Sequence, residues 1–96
     1  METDETVRKF LRAVRDLGEH NERGLASGED IMRRMEWDPS DLSYGNPKNE
    51  KAREDGSRYR ELARRCDKEW GFITWEADLY ARVAITPKGE RLLDGD

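Results

Sequence analysis

The chain has 96 residues and is unusually polar, since 42% are charged, 34% are hydrophobic and the mean hydropathy is −1.11. This length accommodates one domain, and the longest apolar runs, of three residues, exclude the roughly 20 residues of a membrane-spanning helix. Because 22 acids nearly balance 18 bases, the formal net charge is only −4, and eight aromatic residues can anchor a core. We therefore expect a small folded domain with at least one mobile stretch.

The scarcity of cysteine and histidine excludes several kinds of site. A single cysteine, Cys66, cannot form an internal disulfide or a cysteine-based zinc site, and a single histidine, His20, cannot form a multi-histidine metal site. No glycine-rich phosphate loop occurs, so we expect no enzyme, no metal and no cofactor. The acidic N-terminus, Met1–Glu5, lacks the apolar segment of a secretory signal, which favours a cytoplasmic location.

The first ordered element is predicted to be a helix over 4–17. Asp4 and Glu5 suit its first turn, where acidic groups stabilise the helix dipole, and Gly18 is its expected end. Apolar residues recur at helical spacing and form one stripe, made of Val7, Phe10, Leu11, Val14 and Leu17. This stripe is the first part of the expected core.

A second, shorter helix is predicted over 28–36. It follows a loop, 18–26, with one buried anchor at Leu25. Ser27 is its predicted N-cap, with Asp30 in the capping-box position. Because the helix is short, it depends for its stability on tertiary contacts through one apolar face, made of Ile31, Met32 and Met35.

Residues 38–56 are predicted to be a long polar insertion. Pro39 ends the second helix, because the residue before a proline is displaced from the α conformation. Asn46 and Pro47 could cap a further helical turn, but that turn would have no apolar face, so we expect it to be loose. A connection of this length in a small domain is usually functional or disordered.

The third helix is predicted over 57–70, ending at Gly71. Its inward stripe is made of Tyr59, Leu62, Ala63, Cys66 and Trp70. A rotation of about 100° per residue then turns outward Ser57, Glu61, Arg64 and Lys68, flanked by Arg58, Arg60 and Arg65. On this stripe Cys66 is interpreted as a buried thiol rather than a reactive one.

Two strands and a last helix complete the predicted order. Alternating residues at 72–75 and 79–85 are separated only by 76–78, which indicates a β-hairpin. The Thr86-Pro87 pair then opens a helical turn over 88–93, because threonine is a good cap and proline suits the first helical position.

The closing segment carries a resemblance to a known family. Ile85-Thr86-Pro87-Lys88-Gly89-Glu90-Arg91-Leu92-Leu93 follows an apolar-Thr-x-Lys-Gly-x-x-x-Leu pattern, after a helix that ends at Gly71 and an apolar pair that begins the hairpin. Across 4–93 the chain resembles the winged helix-turn-helix DNA-binding domains of bacterial and archaeal transcriptional regulators. The resemblance implies an α+β, mainly α, fold with three helices, a hairpin wing and a short C-terminal helix. Here a single domain, 1–96, would carry the polar insertion between helices two and three and end in a tail, 94–96.

The resemblance also implies duplex DNA as the partner, because a winged-helix regulator places its third helix in the major groove. Residues 47–68 contain eight bases and five acids, whereas the segments on either side are net acidic. Arginine binds guanine or phosphate bidentately. The predicted DNA contacts are Ser57, Arg58, Arg60, Arg64, Arg65 and Lys68 in the helix, and Lys48, Lys51 and Arg53 in the insertion. A homodimer through the first helix would match a palindromic site.

The same charges have other interpretations. In so polar a chain, Arg and Glu on an exposed helix face form solvated i, i+4 pairs. Glu76 and Asp78 at the hairpin tip would suit a basic protein, so the alternative is a winged-helix protein–protein interaction module with no DNA binding. Trp37 and Trp75 are expected in the core, and an exposed one would mark a protein-contact surface.

Overall fold

The computed structural model describes residues 4–21, 24–40, 49–76 and 80–94. Over these residues the chain forms four helices and one three-stranded antiparallel sheet, in the order α1 (Asp4–Gly18), β1 (Ala26–Ser27), α2 (Gly28–Arg34), α3 (Glu50–Lys68), β2 (Ile73–Trp75), β3 (Arg82–Ile85) and α4 (Pro87–Leu93). This is the mainly helical α+β architecture that the sequence predicts. Among the described helices, none has both the length and the apolar character needed to cross a bilayer.

The core lies where α1, α2 and α3 meet one face of the sheet. Its largest fully buried side chains are Tyr59, Phe10, Leu11, Ile31, Met32, Leu62, Ile73, Val14, Val83 and Cys66. The rings of Phe10 and Tyr59 meet edge to face, with centroids 6.0 Å apart. Burying each large apolar side chain contributes about 1.5–3 kcal/mol. The buried set confirms the three apolar stripes expected from helical spacing.

The sheet has one strand more than the sequence indicates. β3 lies in the middle, with β2 on one side and β1 on the other. β1 falls in the segment predicted as a loop, 18–26, where Ala26 pairs with Val83. Two residues are too few for an alternation to be detected, so only pairing with β3 defines this strand. The predicted anchor Leu25 is half-buried, and its neighbour Ala26 is the buried residue.

α2 ends at Arg34, two residues before its predicted end. Glu36 has a φ of 65°, in the left-handed region that interrupts a helix, and the Trp37 N–H folds back to the Met32 carbonyl at 2.8 Å. Ser27 is the N-cap residue, but its side chain makes no capping hydrogen bond. The capping-box prediction is therefore wrong, although the helix begins where expected.

The main error of the sequence analysis concerns the start of α3. A helix over 57–70 after a loose insertion was expected, whereas α3 begins at Glu50 and ends at Lys68. Asn49 caps it, because the Asn49 side-chain oxygen accepts the Ala52 N–H at 2.9 Å. Lys51 and Arg53 thus belong to this helix rather than to a loop, while the expected cap at 46–47 and Lys48 lie outside the described residues.

Asp55 explains why the apolar stripe did not predict the first turns of α3. It occupies a core-facing position, and its side chain is only 6% exposed. Its carboxylate accepts the Asp38 N–H at 2.9 Å and the Lys51 ammonium at 2.7 Å. Burial by itself would raise the pKa of Asp55, but these bonds and the charges of Lys51 and Arg58 hold that pKa below its ordinary value. The start of the predicted insertion is therefore attached to α3.

The closing segment behaves as its residue types predict. Gly71 has a φ of 68°, and the Phe72 N–H donates to the Cys66 carbonyl at 2.7 Å. The Thr86 hydroxyl accepts the Gly89 N–H at 3.1 Å and donates to the Gly71 carbonyl at 2.8 Å. A Cβ at Gly89 would lie 2.5 Å from the Phe72 carbonyl oxygen, so only glycine allows this close approach. Together these contacts fasten α4 to the start of the hairpin.

Candidate nucleic-acid interface

α3 carries all of the predicted DNA-contact residues that the structure describes, but they differ in exposure. The half-buried ones are Arg60 and Arg65, and the exposed ones are Lys51, Arg53, Ser57, Arg58, Arg64 and Lys68. One helix therefore presents a long charged surface, and the neighbours of each cation decide what it can bind.

One flank of α3 lies beside the hairpin and contains a row of cations, Arg60, Arg64 and Lys68, which we call the basic row. Their i, i+4, i+8 spacing aligns them on one side of the helix, with a rise of about 6 Å from each to the next. Tyr80 lies opposite them. The open space between is the hairpin groove, lined by Ser57, Arg60, Glu61, Arg64, Lys68 and Tyr80.

Tyr80 is held in the groove from two sides. Its carbonyl accepts the hydroxyl of buried Tyr59 at 2.6 Å, and its own hydroxyl donates to Asp67 at 3.2 Å. Burial and the Asp67 carboxylate raise the pKa of Tyr80. Its φ of 60° interrupts the predicted strand over 79–85, and Ala81, which the alternation places on one face with Val83, is exposed while Val83 is buried. The alternation predicts an extended backbone at Tyr80. This prediction is wrong because the two tertiary hydrogen bonds hold Tyr80 in the left-handed conformation.

The two tryptophans with a predicted core role have different environments. Trp37 is half-buried and packs against the core. Trp75 is 46% exposed, although it shares a sheet face with buried Ile73. β2 runs out of the core toward the hairpin tip, and the Trp75 ring meets that of Tyr80 edge to face, with centroids 5.8 Å apart. The core assignment of Trp75 is therefore wrong.

The opposite side of α3 uses its arginines differently. The Arg58 guanidinium lies 5.6 Å from the centre of the Trp37 ring, and that of Arg65 lies 5.0 Å from the Trp70 ring. The Arg65 guanidinium also donates to Glu69 at 2.7 Å, and its side chain is only 26% exposed. We call these four residues, Arg58, Arg65, Trp37 and Trp70, the tryptophan flank. Its two arginines are bound to the protein's own groups.

Two cations of the basic row, Arg64 and Lys68, have weaker attachments. Arg64 donates to Glu61 at 2.9 Å, and Lys68 lies 3.8 Å from Asp67. The Arg64–Glu61 hydrogen bond lowers the pKa of Glu61 and raises that of Arg64. The side chains of Arg64 and Lys68 are 52% and 64% exposed, and an exposed pair such as Arg64–Glu61 contributes little. Asp67 is only 17% exposed, but at 3.8 Å the Lys68 ammonium lies too far from it for a hydrogen bond. A phosphate can therefore replace the carboxylate partner.

Three acidic residues lie along the outward side of α3, and of these the sequence prediction named only Glu61. Glu50, Glu54 and Glu61 are exposed and follow one another along the helix at spacings of four and seven residues. The cations are thus concentrated beside the hairpin rather than spread over the outward face. The apolar stripe alone could have indicated this, because it fixes the direction of every other side chain.

Cys66 and His20, the single cysteine and the single histidine, lie in different environments. Cys66 is buried, and burial raises its pKa to about 12. His20 is exposed. Across 4–21, 24–40, 49–76 and 80–94, no three His, Cys, Asp or Glu side chains come together in a way that could hold a metal ion. Among the residues of α1 whose burial the structure describes, the exposed ones are charged, namely Glu5, Lys9 and Arg12, and a homodimer through this helix stays a prediction.

Comparison with known proteins adds no assignment. The chain matches no family model, no curated protein and no solved structure significantly.

Proposed function

We propose that this chain binds duplex DNA through the hairpin side of α3 and acts as a transcriptional regulator of the winged-helix type. The observation that carries the proposal is the basic row, Arg60, Arg64 and Lys68, lying along one side of a helix next to a β-hairpin. The order of three helices, a hairpin and a short helix also agrees with the resemblance described above.

The charge distribution supports the same surface. The chain as a whole is net acidic, yet α3 carries seven bases and five acids. The tryptophan flank holds two of these bases, and Asp55 holds Lys51. Arg64 and Lys68 of the basic row are more than half exposed and accessible to a ligand. Three phosphate contacts would give a log–log salt slope of about −3.

An amide NMR titration with a random-sequence blunt duplex at low salt tests the proposal. Phosphate binding predicts shifts concentrated at 57–68 and at Tyr80, and these should disappear as the salt concentration rises. Shifts confined to α1 and α2, or binding that salt does not weaken, would contradict the proposal. The indole signal of Trp37 reports on the tryptophan flank and serves as an internal control.

The second candidate is a protein–protein interaction module, which the acidic residues on the outward side of α3 favour. A basic protein partner would contact Glu50, Glu54 and Glu61 rather than the basic row. Glu54→Lys with Glu61→Lys should then abolish partner binding, whereas the same pair of changes should strengthen DNA binding. The two candidates thus predict opposite signs for one double variant.

A further inference from the structure

Trp75 has an environment that neither folding nor binding of a blunt duplex explains. It is the one large hydrophobic side chain exposed in the described part of the chain, at 46%. Thr74 on β2 and Glu76, which directly follows the strand, are also exposed. We infer that Trp75 is a stacking site for an unpaired base, so that the preferred ligand is a duplex with a single-stranded extension. This inference rests on the proposed function.

The platform is rigid because its support is fixed at both ends. Tyr80 contacts the Trp75 ring edge to face at 5.8 Å. The buried Tyr59 hydroxyl holds the Tyr80 backbone, and the Asp67 carboxylate holds the Tyr80 hydroxyl. A ring supported in this way loses little conformational entropy when a ligand stacks on it.

The platform is continuous with the basic row. Tyr80 contacts Trp75 on one side and lines the hairpin groove opposite Arg60, Arg64 and Lys68 on the other. A row of cations along the phosphate backbone together with an exposed aromatic ring is the combination that binds single-stranded nucleic acid. A backbone that follows the groove would therefore bring its bases to Trp75.

The stacking requirement decides the class of ligand. Bases inside a duplex stack on one another and cannot stack on a protein ring unless they are unpaired. α3 can accommodate a duplex while Trp75 takes a base that extends beyond its end. An exposed tryptophan beside acidic Glu76 would also suit a protein partner. The polyanion is favoured by Arg60, Arg64 and Lys68, which line the groove together with Tyr80.

Fluorescence anisotropy at low salt tests the inference with two probes, a blunt random-sequence duplex and the same duplex with a short oligo(dT) extension. One stacked base predicts about five- to tenfold tighter binding of the extended duplex. In Trp75→Ala the ratio of the two affinities should fall to about one, whereas Trp75→Phe should retain most of it. Thr74→Ala changes the adjacent exposed residue on the other sheet face and should keep the full ratio.

Each outcome supports or overturns the inference. Loss of the ratio in Trp75→Ala alone supports it. If the wild type binds both probes equally, or if Trp75→Ala keeps the ratio, the stacking site is wrong while the proposed function stands. If neither probe binds, both proposals fail, and a protein partner becomes the explanation for the exposed ring. Circular dichroism of each variant verifies that the fold is intact.

Discussion

The two flanks of α3 contain the same residue types and use them differently. On the hairpin side, Arg64 and Lys68 are more than half exposed, Arg64 pairs with exposed Glu61, and Lys68 lies 3.8 Å from Asp67. On the tryptophan flank, Arg58 and Arg65 lie over indole rings, and Arg65 is 26% exposed. Arginine in a helix is therefore not by itself evidence of a ligand site, because its guanidinium can instead stabilise the fold through a cation–π contact with an adjacent aromatic ring.

The difference depends on what each flank faces. The tryptophan flank faces half-buried rings, which gain cation–π contacts with guanidinium groups, while the hairpin side faces an open groove. Reversing charges on one flank at a time should separate binding from stability.

The largest effect is expected for the double variant Arg64→Glu with Lys68→Glu. It removes two phosphate contacts and places two repulsive charges in the groove, so DNA affinity at low salt should fall about a hundredfold. The matched variant, Arg58→Glu with Arg65→Glu, changes the net charge equally and should lower affinity much less. Anisotropy titrations measure both, and equal losses would mean that net charge rather than position governs binding.

The next effect concerns Asp55, which binds the backbone of Asp38, the residue after Trp37, to α3. Asp55→Asn keeps the size but loses the charged acceptor for Asp38 and Lys51, so the free energy of unfolding should fall by about 2 kcal/mol. Urea denaturation at neutral pH measures this. DNA affinity should change little, and a loss of affinity as large as that of the groove variant would contradict the separation of the flanks.

The pKa of Asp55 gives this attachment a pH dependence. Its folded pKa is lower than the ordinary carboxyl value, so its stabilisation is complete above that value and is lost as the pH falls through the folded pKa. Unfolding measured from pH 6 downward should show the wild type losing its advantage over Asp55→Asn below about pH 4. If the wild type stayed more stable than Asp55→Asn in acid, the stability difference would come from the shape of the side chain rather than from its charge.

A smaller effect is expected on the hairpin side from Tyr59→Phe. The substitution keeps the buried ring but leaves the Tyr80 carbonyl without its donor, which costs about 1 kcal/mol. Because Tyr80 supports Trp75, amide hydrogen exchange in β3 should also become faster. Unchanged exchange would show that Tyr80 is held by Asp67 alone.

The smallest effect is expected on the free energy of unfolding when single arginines are replaced. Arg58→Ala and Arg65→Ala should each lower the free energy of unfolding by about 0.5–1 kcal/mol, since each loses a cation–π contact. Arg64→Ala should leave the unfolding midpoint unchanged, because its exposed pair with Glu61 contributes little. Thermal unfolding of the three variants side by side checks the order, and a larger loss for Arg64→Ala would contradict it.

Much of the fold could be predicted from the sequence because its signals are local. The stripe from Val7 to Leu17 and the closing segment at 85–93 follow from helical spacing and from the capping chemistry of Thr86 and Gly89. β1 could not be predicted, since its two residues are a strand only through pairing with Val83 and Arg82. Nor could the first turns of α3, whose buried Asp55 is satisfied by a residue 17 positions earlier.

For the candidate site, the sequence by itself determined which helix carries the cations and which side of that helix is buried. Only the tertiary structure decided that Arg58 and Arg65 lie on tryptophans, that Arg60, Arg64 and Lys68 face a groove, and that the expected core residue Trp75 is exposed. The physical reason is that helical periodicity fixes the direction of a side chain relative to its own helix. What that side chain meets depends on segments distant in the chain, which are brought together only when the core forms.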